Sequence, residues 1–475
     1  MTLSIIACII TQSSLCTHES FQEQVFSFIL TKMEVQHIRK TKDLTQENFE
    51  LLFKHHFKDP NLKVTEVKHE ELEKGEHYQS TMKTMIVKIQ GKNDLRLFIK
   101  EPLTTFLAKL QKPNLAFARE VFWYMEAYPA LSPIYPEMSN FTPNCFLARS
   151  DYDTNYSRIL DWKHQNGFFC SMIFTNPDHG LLILEDLKDP QRPQGPLKSI
   201  NKSVPPSIDV AKLVIKFIAT FHGVWISWLK HQNPSKLGGL DKDDLTKVFT
   251  IPVYGKGLIK NSFKSLKWLE HQLTVLDKPQ ELIQAFRHYR KVKLFEDFSC
   301  CHPQFSKFAT FLHGDVWSNN FFLNQEESEV TFLDYQAFNY AHPGKDFWYY
   351  IYNQTDVEWR KNHLETCFQT YFETFEKYLP DTNVAAMTYE EFKLDMQSKR
   401  GFGLTISFLL LPMLIDYSGI WSKYDGTFKS MREISKFAQE TFKYPMKEDE
   451  DPSVKEINKR FMENIEEAFE LGILQ

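Results

Sequence analysis

The residues best suited to chemistry lie in one short stretch, FLHGDVWSNNFFLNQEESEVTFLDYQ, which covers residues 311–336. Asp315 and Asn320 stand five positions apart, and Asp334 follows fourteen residues after Asn320. Carboxylate and amide oxygens are ligands that Mg²⁺ prefers, and a carboxylate can also accept the proton of an attacking hydroxyl. Phosphoryl transfer requires these groups of a protein. The residue types and their spacing therefore predict a phosphotransferase site.

A β-hairpin is predicted to bring these side chains together. Apolar runs at residues 321–324 and 330–333 flank a polar turn, as in two short paired strands. Asn320 precedes the first strand and Asp334 follows the second, so a closed hairpin makes them neighbours. Taken alone, H-x-D-x-x-x-x-N can arise by chance, Asp315 can cap a loop and Asp334 can occupy a turn. The hairpin favours a shared cation site over these readings.

Upstream of the hairpin, residues 60–187 read as a small sheet with one prominent helix. The stretches TMKTMIVKIQ and LRLFIK flank a GKND turn and predict strands at residues 81–90 and 95–100, the second ending at Lys100. AFAREVFWYMEAY, residues 116–128, has the apolar spacing of a helix. Further strands are predicted at residues 144–148 and 180–184, and a helix at 45–57 has Thr45 as its N-cap.

A proline-rich segment, KDPQRPQGPLKS at residues 188–199, marks a linker or loop. Beyond it the periodicity is mainly helical, with helices predicted at residues 210–229, 279–290 and 357–378. The chain thus divides into a strand-rich unit and a helix-rich unit with one embedded hairpin. This layout suits a two-lobed phosphotransferase with its site in the cleft.

HGDVWSNN followed by FLDYQ resembles the HGD-x-W-x-x-N and D-F-Q motifs of the ecdysteroid-kinase-like (CHK kinase-like) family. That family belongs to the aminoglycoside phosphotransferase and choline kinase superfamily. REVFWY and LILEDL resemble the family's R-E-x-x-F-Y helix and hinge strand, and the likeness covers residues 45 to about 440. It implies an α+β, two-lobed protein-kinase-like fold. The small β-rich N-lobe would span residues 45–187 and the larger, mainly helical C-lobe 188–475, after a leader or extension at 1–44.

The resemblance also implies roles for individual residues. Asp315 would be the catalytic base, and Asn320 and Asp334 would bind Mg²⁺. Lys100 would pair with the α- and β-phosphates of ATP, and Glu120 would hold Lys100 through an ion pair. A solvated strand-end lysine and a helix-surface glutamate are the plainer alternatives for the last two.

Other expectations concern the nucleotide and the catalytic loop. Backbone groups from Glu185 to Leu187 would bind adenine, and Gly75 and Ser80 of EKGEHYQS would contact phosphates in place of a G-x-G-x-x-G loop. His313 is expected to fix the loop by hydrogen bonds. Asp346 would brace the same loop, or else cap the following helix. Asn319 competes with Asn320 as a ligand, and the family spacing favours Asn320.

The implied reaction moves the γ-phosphate of ATP to a hydroxyl of a small molecule, such as an ecdysteroid or a related steroid or xenobiotic alcohol. An inactive kinase-like ligand-binding protein, or a choline- or aminoglycoside-type kinase, is the alternative. An acidic acceptor pocket would favour a cationic acceptor, and an apolar pocket would favour a steroid.

Composition narrows the class of protein. The 475 residues are 42% hydrophobic with a net charge of −5, which is ordinary for a globular protein and does not indicate a nucleic-acid partner. Seven cysteines without a C-x-x-C pair predict reduced thiols in a cytoplasmic protein. The uncharged residues 1–17 offer secretion as an alternative, and Met33 offers a second start.

The apolar run at 401–415 is too short to span a membrane, so we expect a buried helix and no transmembrane segment. The sequence does not specify an oligomeric state.

Overall fold

Two regions of different architecture make up the protein, which is represented by a computed structural model. It describes residues 37–70, 80–102, 113–150, 180–202, 204–231, 237–250, 266–306, 308–379, 387–414 and 452–475. One region is a five-stranded antiparallel sheet, and the other consists mainly of helices with two small sheets. The predicted α+β, two-lobed fold is confirmed. The predicted leader at 1–17 and Gly75 lie outside the described residues.

The sheet lobe contains five strands in the order β1-β2-β3-β5-β4. The predicted hairpin of β2 and β3 is present, and Lys100 on β3 lies between Met82 of β2 and Leu182 of β5. This position makes β3 the central strand, so a side chain on it is held from both sides. The strands are β1 Val64–Glu70, β2 Ser80–Ile89, β3 Leu95–Pro102, β4 Cys145–Ser150 and β5 Gly180–Glu185.

The strand β5 is apolar up to Glu185 because both faces of the sheet are covered. Leu181 and Ile183 belong to a cluster formed with the helix α1, Gln46–His56, whose N-cap is Thr45 as predicted. Leu182, on the opposite face, joins the main core of the protein. Successive side chains of a strand point to opposite faces, so one run of residues joins two cores. Ile38, within the predicted extension at 1–44, is fully buried in the α1 cluster.

The predicted helix at 116–128 is longer and less regular than expected. It begins as α2, Pro113–Phe122, widens into a π-helical segment over Trp123–Ala127, and continues as α3, Tyr128–Leu131. Such π segments are rare and often occur near functional sites. Here Trp123 stacks on Tyr335 with ring centroids 4.3 Å apart. The widened turn thus fixes the helix to the segment that follows Asp334.

The helical lobe is built around α4, which spans Ile208–His231 and is buried along most of its length. In the described part of the chain, this is the one helix long and apolar enough to cross a membrane, and 78% of its apolar window is buried within the protein. The other α-helices in the described part of this lobe are α5 Lys242–Phe249, α6 Lys267–Val275, α7 Gln280–Lys291, α8 Leu294–Ser299, α9 Gly344–Gln354, α10 Val357–Phe375, α11 Tyr389–Gln397, α12 Arg400–Leu414 and α13 Pro452–Glu470.

Four short strands connect these helices to the site. β6, Thr310–Leu312, pairs with β9, Asn339–Ala341, and between them lies the predicted hairpin of β7, Phe321–Leu323, and β8, Val330–Phe332. The proline-rich segment is not a free linker, because Lys198 and Leu323 exchange backbone hydrogen bonds of 2.8 and 2.9 Å. The end of the sheet lobe is therefore attached to the edge of the hairpin. The domain division at residues 187 and 188 remains a prediction.

A buried histidine makes hydrogen-bond contacts between helices of the helical lobe. His222 on α4 contacts the Tyr371 hydroxyl through Nδ1 at 2.7 Å and the Asp346 carboxylate through Nε2 at 3.2 Å. Burial lowers the pKa of His222 below its usual 6.5, although Asp346 acts in the opposite direction. The folded state thus favours the neutral ring. The stability that this preference contributes is complete above pH 6.5 and declines as the pH falls further.

We expect His222→Asn to lower the free energy of unfolding by about 1–3 kcal/mol at pH 7.5, because two buried partners lose their hydrogen bonds. The difference in free energy of unfolding between the variant and wild type should narrow below pH 6.5. In that range protonation of the buried His222 destabilises only the wild-type folded state. Denaturant unfolding between pH 7.5 and 5.5 measures the difference, with exposed His271→Asn as the control. A difference that stays constant across this range would contradict the assignment.

Candidate active site

A buried lysine joins the two lobes. Lys100 Nζ lies 2.6 Å from Glu120 Oε2 and 2.7 Å from Asp334 Oδ1. Lys100 is fixed by β3, Glu120 by α2, and Asp334 by the turn after β8. One ammonium therefore binds carboxylates from three separate elements. An ammonium has three N–H donors, so a third remains for another acceptor.

The position of Asp334 depends on an unusual backbone. Its φ and ψ are 64° and 60°, the left-handed region that non-glycine residues seldom adopt. The next residue, Tyr335, is fully buried, stacks on Trp123 and shares a 3.3 Å hydrogen bond between its hydroxyl and that of Thr142. Tyr335 occupies the position where the family usually has Phe. Its burial holds the strained turn, and so holds Asp334 toward the cleft.

The charges of this cluster depend on one another. Burial disfavours the Lys100 ammonium, yet the charges of Asp334 and Glu120 raise the pKa of Lys100 above its usual value. Burial raises the pKa of Glu120 to about 7, although the Lys100 charge acts in the opposite direction. Removing any one charge would leave the others buried without a full complement, which is costly in a protein interior.

Asp315 is held by two hydrogen bonds to its carboxylate. The Tyr349 hydroxyl donates to Oδ1, and the Asn320 amide nitrogen donates to Oδ2 at 2.8 Å and to the Asp315 carbonyl at 2.9 Å. Burial, with the nearby Asp334 charge adding to it, raises the pKa of Asp315 to about 7. A carboxyl with its pKa near neutrality is suited to accept a proton at physiological pH.

The loop that carries Asp315 is braced from below. Asp346 accepts the backbone N–H groups of His313 at 2.9 Å and Gly314 at 3.0 Å. His313 bonds the Leu333 carbonyl through Nε2 at 2.9 Å, which ties the loop to the end of β8. Asp346 therefore braces the loop, and the N-cap of α9 is Pro343, so the alternative that Asp346 caps this helix is wrong. The fixing role expected for His313 agrees with this contact.

Glycine is required at position 314. Its φ is +85°, and a Cβ atom there would clash with the Ala337 carbonyl and the Asn339 amide. Asn339 lies on β9 directly opposite Leu312. The tight approach of the two backbones sets the direction in which the chain leaves β6, and therefore where Asp315 points.

The oxygens at the open end of the hairpin suit Mg²⁺. The Leu333 N–H donates to the Asn320 carbonyl at 2.8 Å, so Asn320 and Asp334 are neighbours as predicted. The Asn320 amide nitrogen is used by Asp315, which leaves its oxygen for a cation, and Asp334 has a second carboxylate oxygen beyond the one that binds Lys100. Mg²⁺ commonly takes one or two protein ligands with phosphates and water. In the described residues there is no cluster of three or more His, Cys, Asp or Glu side chains that would form a complete metal cage.

The predicted hinge has mixed support from its contacts. The Leu187 carbonyl accepts the Leu197 N–H at 2.7 Å, so it is already used, whereas the described residues offer the Leu187 N–H no partner. The Glu185 side chain accepts the Asn144 N–H at 3.0 Å, which ties β5 to the start of β4. Backbone donation from Leu187 to adenine is thus compatible with the structure. Ser80 begins β2, and Gly75 lies outside the described residues.

A cavity of about 200 Å³ opens beside the Asp315 loop. Gly314 and Tyr349 line it, and these residues are the backbone neighbour and the hydrogen-bond donor of Asp315. No Asp or Glu occurs among the described residues that line it. The apolar walls include Phe298, Cys301, Tyr340, Phe402 and Ile406, and the polar lining includes Ser299, His302, Asn339 and Lys345.

Sequence patterns missed Tyr349 and Lys345. Both lie on α9, four residues apart and hence on one face of the helix. The signal was available, because HPGKDFWYY follows the hairpin and begins a helix with its lysine and first tyrosine in register. What the sequence could not show is that this face meets the loop that carries Asp315.

Three solved structures resemble the chain at low identity. The macrolide 2'-phosphotransferase of Brachybacterium faecium is 10% identical, with 82% of this chain and 97% of that one covered and a TM-score of 0.36. A choline kinase from Streptococcus pneumoniae is 11% identical, with coverages of 86% and 99% and a TM-score of 0.34. A Plasmodium vivax ethanolamine kinase is 11% identical, with coverages of 88% and 93% and a TM-score of 0.33. Scores this low carry no argument about substrate or mechanism.

No curated protein matches the sequence significantly. A family model does match, over residues 74–384, which is well over half of the chain. The matched region contains Lys100, Glu120, Asp315, Asn320 and Asp334. The chain belongs to the ecdysteroid kinase-like family.

Proposed function

We propose that the protein is an ATP-dependent phosphotransferase that moves the γ-phosphate to a hydroxyl of a small, largely apolar molecule, such as an ecdysteroid or related alcohol. The observation that carries the proposal is the Lys100 ammonium bound to both Glu120 and Asp334. This contact brings the sheet lobe and the catalytic hairpin together around one cleft. Membership of the ecdysteroid kinase-like family supports the same reaction class.

In this proposal Lys100 donates its remaining N–H to the α- and β-phosphates of ATP, and Glu120 keeps the ammonium oriented. Asn320 and Asp334 hold Mg²⁺, which neutralises phosphate charge when bound. The Leu187 N–H is the adenine donor in the hinge. Each role uses a group whose other contacts are already satisfied, so little rearrangement is required of the protein.

The acceptor hydroxyl is proposed to bind in the cavity beside Asp315. The Asp315 carboxylate orients the hydroxyl and takes its proton as the bond from the acceptor oxygen to the γ-phosphorus forms and the bond from the γ-phosphorus to ADP breaks. Tyr349 and Asn320 hold the two carboxylate oxygens, and each oxygen retains a lone pair for the incoming proton. Positioning is the main contribution here, because phosphoryl transfer needs little covalent chemistry from the protein.

The cavity also distinguishes between acceptor classes. A choline- or aminoglycoside-type acceptor carries positive charge and would need carboxylates around it. The described lining has aromatic and aliphatic walls and a lysine, and no acidic side chain. The lining therefore disfavours a cationic acceptor and favours an alcohol with an apolar body.

We expect Asp315→Ala to reduce kcat at least about 100-fold while leaving Mg·ATP binding intact, because it removes the base and not the nucleotide contacts. Steady-state kinetics with an ecdysteroid acceptor and a parallel nucleotide titration would measure the two effects. Asp315→Asn, which keeps the shape of the side chain, should be similarly impaired. Normal turnover in either variant would exclude Asp315 as the base.

We expect Mg·ATP to raise the melting temperature of wild type, and Asp334→Ala to lose the magnesium-dependent part of this shift. A ligand at 100 times its dissociation constant stabilises by about 2.7 kcal/mol, which is readily detected. The solvent-exposed Asp209→Ala, which removes the same group elsewhere, should respond as wild type does. No shift in wild type would instead support a ligand-binding protein without kinase activity.

A further inference from the structure

Lys345 occupies an unusual place for a lysine. It is the second residue of α9 and lines the cavity beside Asp315. Its Nζ donates to Asn339 Oδ1 at 3.0 Å and lies 5.7 Å from the centre of the Phe402 ring. Among the described residues, no carboxylate lies within ion-pair distance of this ammonium. The side chain thus brings a positive charge to a cavity whose described lining contains no acidic side chain.

Keeping a cation at this position is energetically unfavourable. Burial lowers the pKa of Lys345, although the charge of Asp346 acts in the opposite direction. The N-terminus of a helix carries partial positive charge, which further disfavours an ammonium in the first turn. Folding alone would be served as well by an apolar side chain of similar length. The cost is therefore more readily explained by a ligand than by the fold.

The charged residues around Lys345 do not provide a partner for its ammonium. Asp346 is almost completely buried, and its two oxygens accept the His313 and Gly314 N–H groups. Asp315 is held by Tyr349 and Asn320. Arg119 and His302 also act on this region, and both oppose a further positive charge. An electronegative group in the cavity would find Lys345 with N–H donors to spare.

The cavity links Lys345 to the reacting end of the site. Gly314 and Tyr349 form its border with Asp315, and Phe402 and Ile406 form its apolar side. A molecule whose hydroxyl meets Asp315 would lay its apolar body against this side and pass the Lys345 ammonium. Such a molecule would gain a strong contact if it carried a second oxygen at that point.

We propose that Lys345 determines acceptor specificity by binding a carbonyl or carboxylate oxygen on the apolar body of the acceptor, and by repelling acceptors that carry a cation there. The proposal rests on the phosphotransferase function proposed above, because it places the reacting hydroxyl at Asp315. It assigns Lys345 to substrate recognition and not to the transfer step.

Three probes of one shape test this proposal. They are 4-hydroxycyclohexanone, 4-hydroxycyclohexanecarboxylate and 4-aminocyclohexanol, which differ only in the group opposite the hydroxyl. Ligand-observed NMR titrations give their dissociation constants with wild type and three variants. Lys345→Met removes the charge, Lys345→Glu reverses it, and Lys361→Met makes the same change at an exposed lysine on α10.

We expect wild type to bind the carboxylate at least about ten-fold more tightly than the ammonium probe, as a charge-assisted hydrogen bond would give. The ketone should fall between them. The preference should vanish in Lys345→Met, invert in Lys345→Glu and persist in Lys361→Met. A purely structural role for Lys345 would weaken all three probes equally and leave their order unchanged.

An unchanged order in Lys345→Met, or no binding of any probe to wild type, would overturn the proposal. The Mg·ATP melting shift keeps this result separate from the kinase assignment. A normal Mg·ATP melting shift without any probe preference would exclude the recognition role of Lys345 and leave the kinase assignment intact. A Lys345-dependent preference without any nucleotide shift leaves Lys345 as a ligand contact and removes the kinase function.

Discussion

The structure depends on one buried cation. Lys100 is almost fully enclosed and binds carboxylates from α2 and from the turn after β8, so its charge is neutralised only when the sheet lobe and the hairpin are correctly docked. Burying a charged group without partners is among the most costly events in folding. The same contact therefore specifies the relative position of the lobes. Each element around Lys100 helps to position or to neutralise its buried charge. The central strand positions the lysine, the helix supplies one carboxylate, and Tyr335 holds the strained backbone that supplies the other.

Much of the fold could be predicted because local pattern and burial agree. Strands β2 and β3 follow β-forming residues on either side of a turn, β7 and β8 follow apolar runs, and Thr45 caps α1 as its position before an apolar helix indicates. The π-helical turn at Trp123 could not be predicted, because it accompanies a ring stack with Tyr335, more than two hundred residues away. The attachment of the proline-rich segment could not be predicted for a related reason. Its composition is that of a linker or loop, and its end pairs with Leu323, a contact that only the folded chain creates.

The residues of the candidate site and the Lys100–Glu120 ion pair could be predicted, whereas most of the other contacts could not. Lys100, Glu120 and Asp334 could be chosen from motif order, and the structure brings their side chains together. The roles of Asn320 and Tyr349 as supports of Asp315 depend on three-dimensional contacts that spacing alone does not reveal. The high aromatic content also finds an explanation. Most of the described rings pack in the core, as with Phe217 on Phe332, and only a few of them reach the cavity. A sequence rich in aromatic residues is thus poor evidence for an apolar substrate.

The hydrogen bonds that attach the proline-rich segment also determine where the chain can tolerate changes in length. The Leu197 N–H bonds the Leu187 carbonyl, so the chain between them is a loop whose two ends are joined to each other. Insertions or deletions within it change the loop and not the distance between hinge and hairpin. Doubling the length of such a loop costs only about 0.6 kcal/mol of closure entropy. The protein can therefore accumulate length variation at this point while the spacing of its two lobes is preserved.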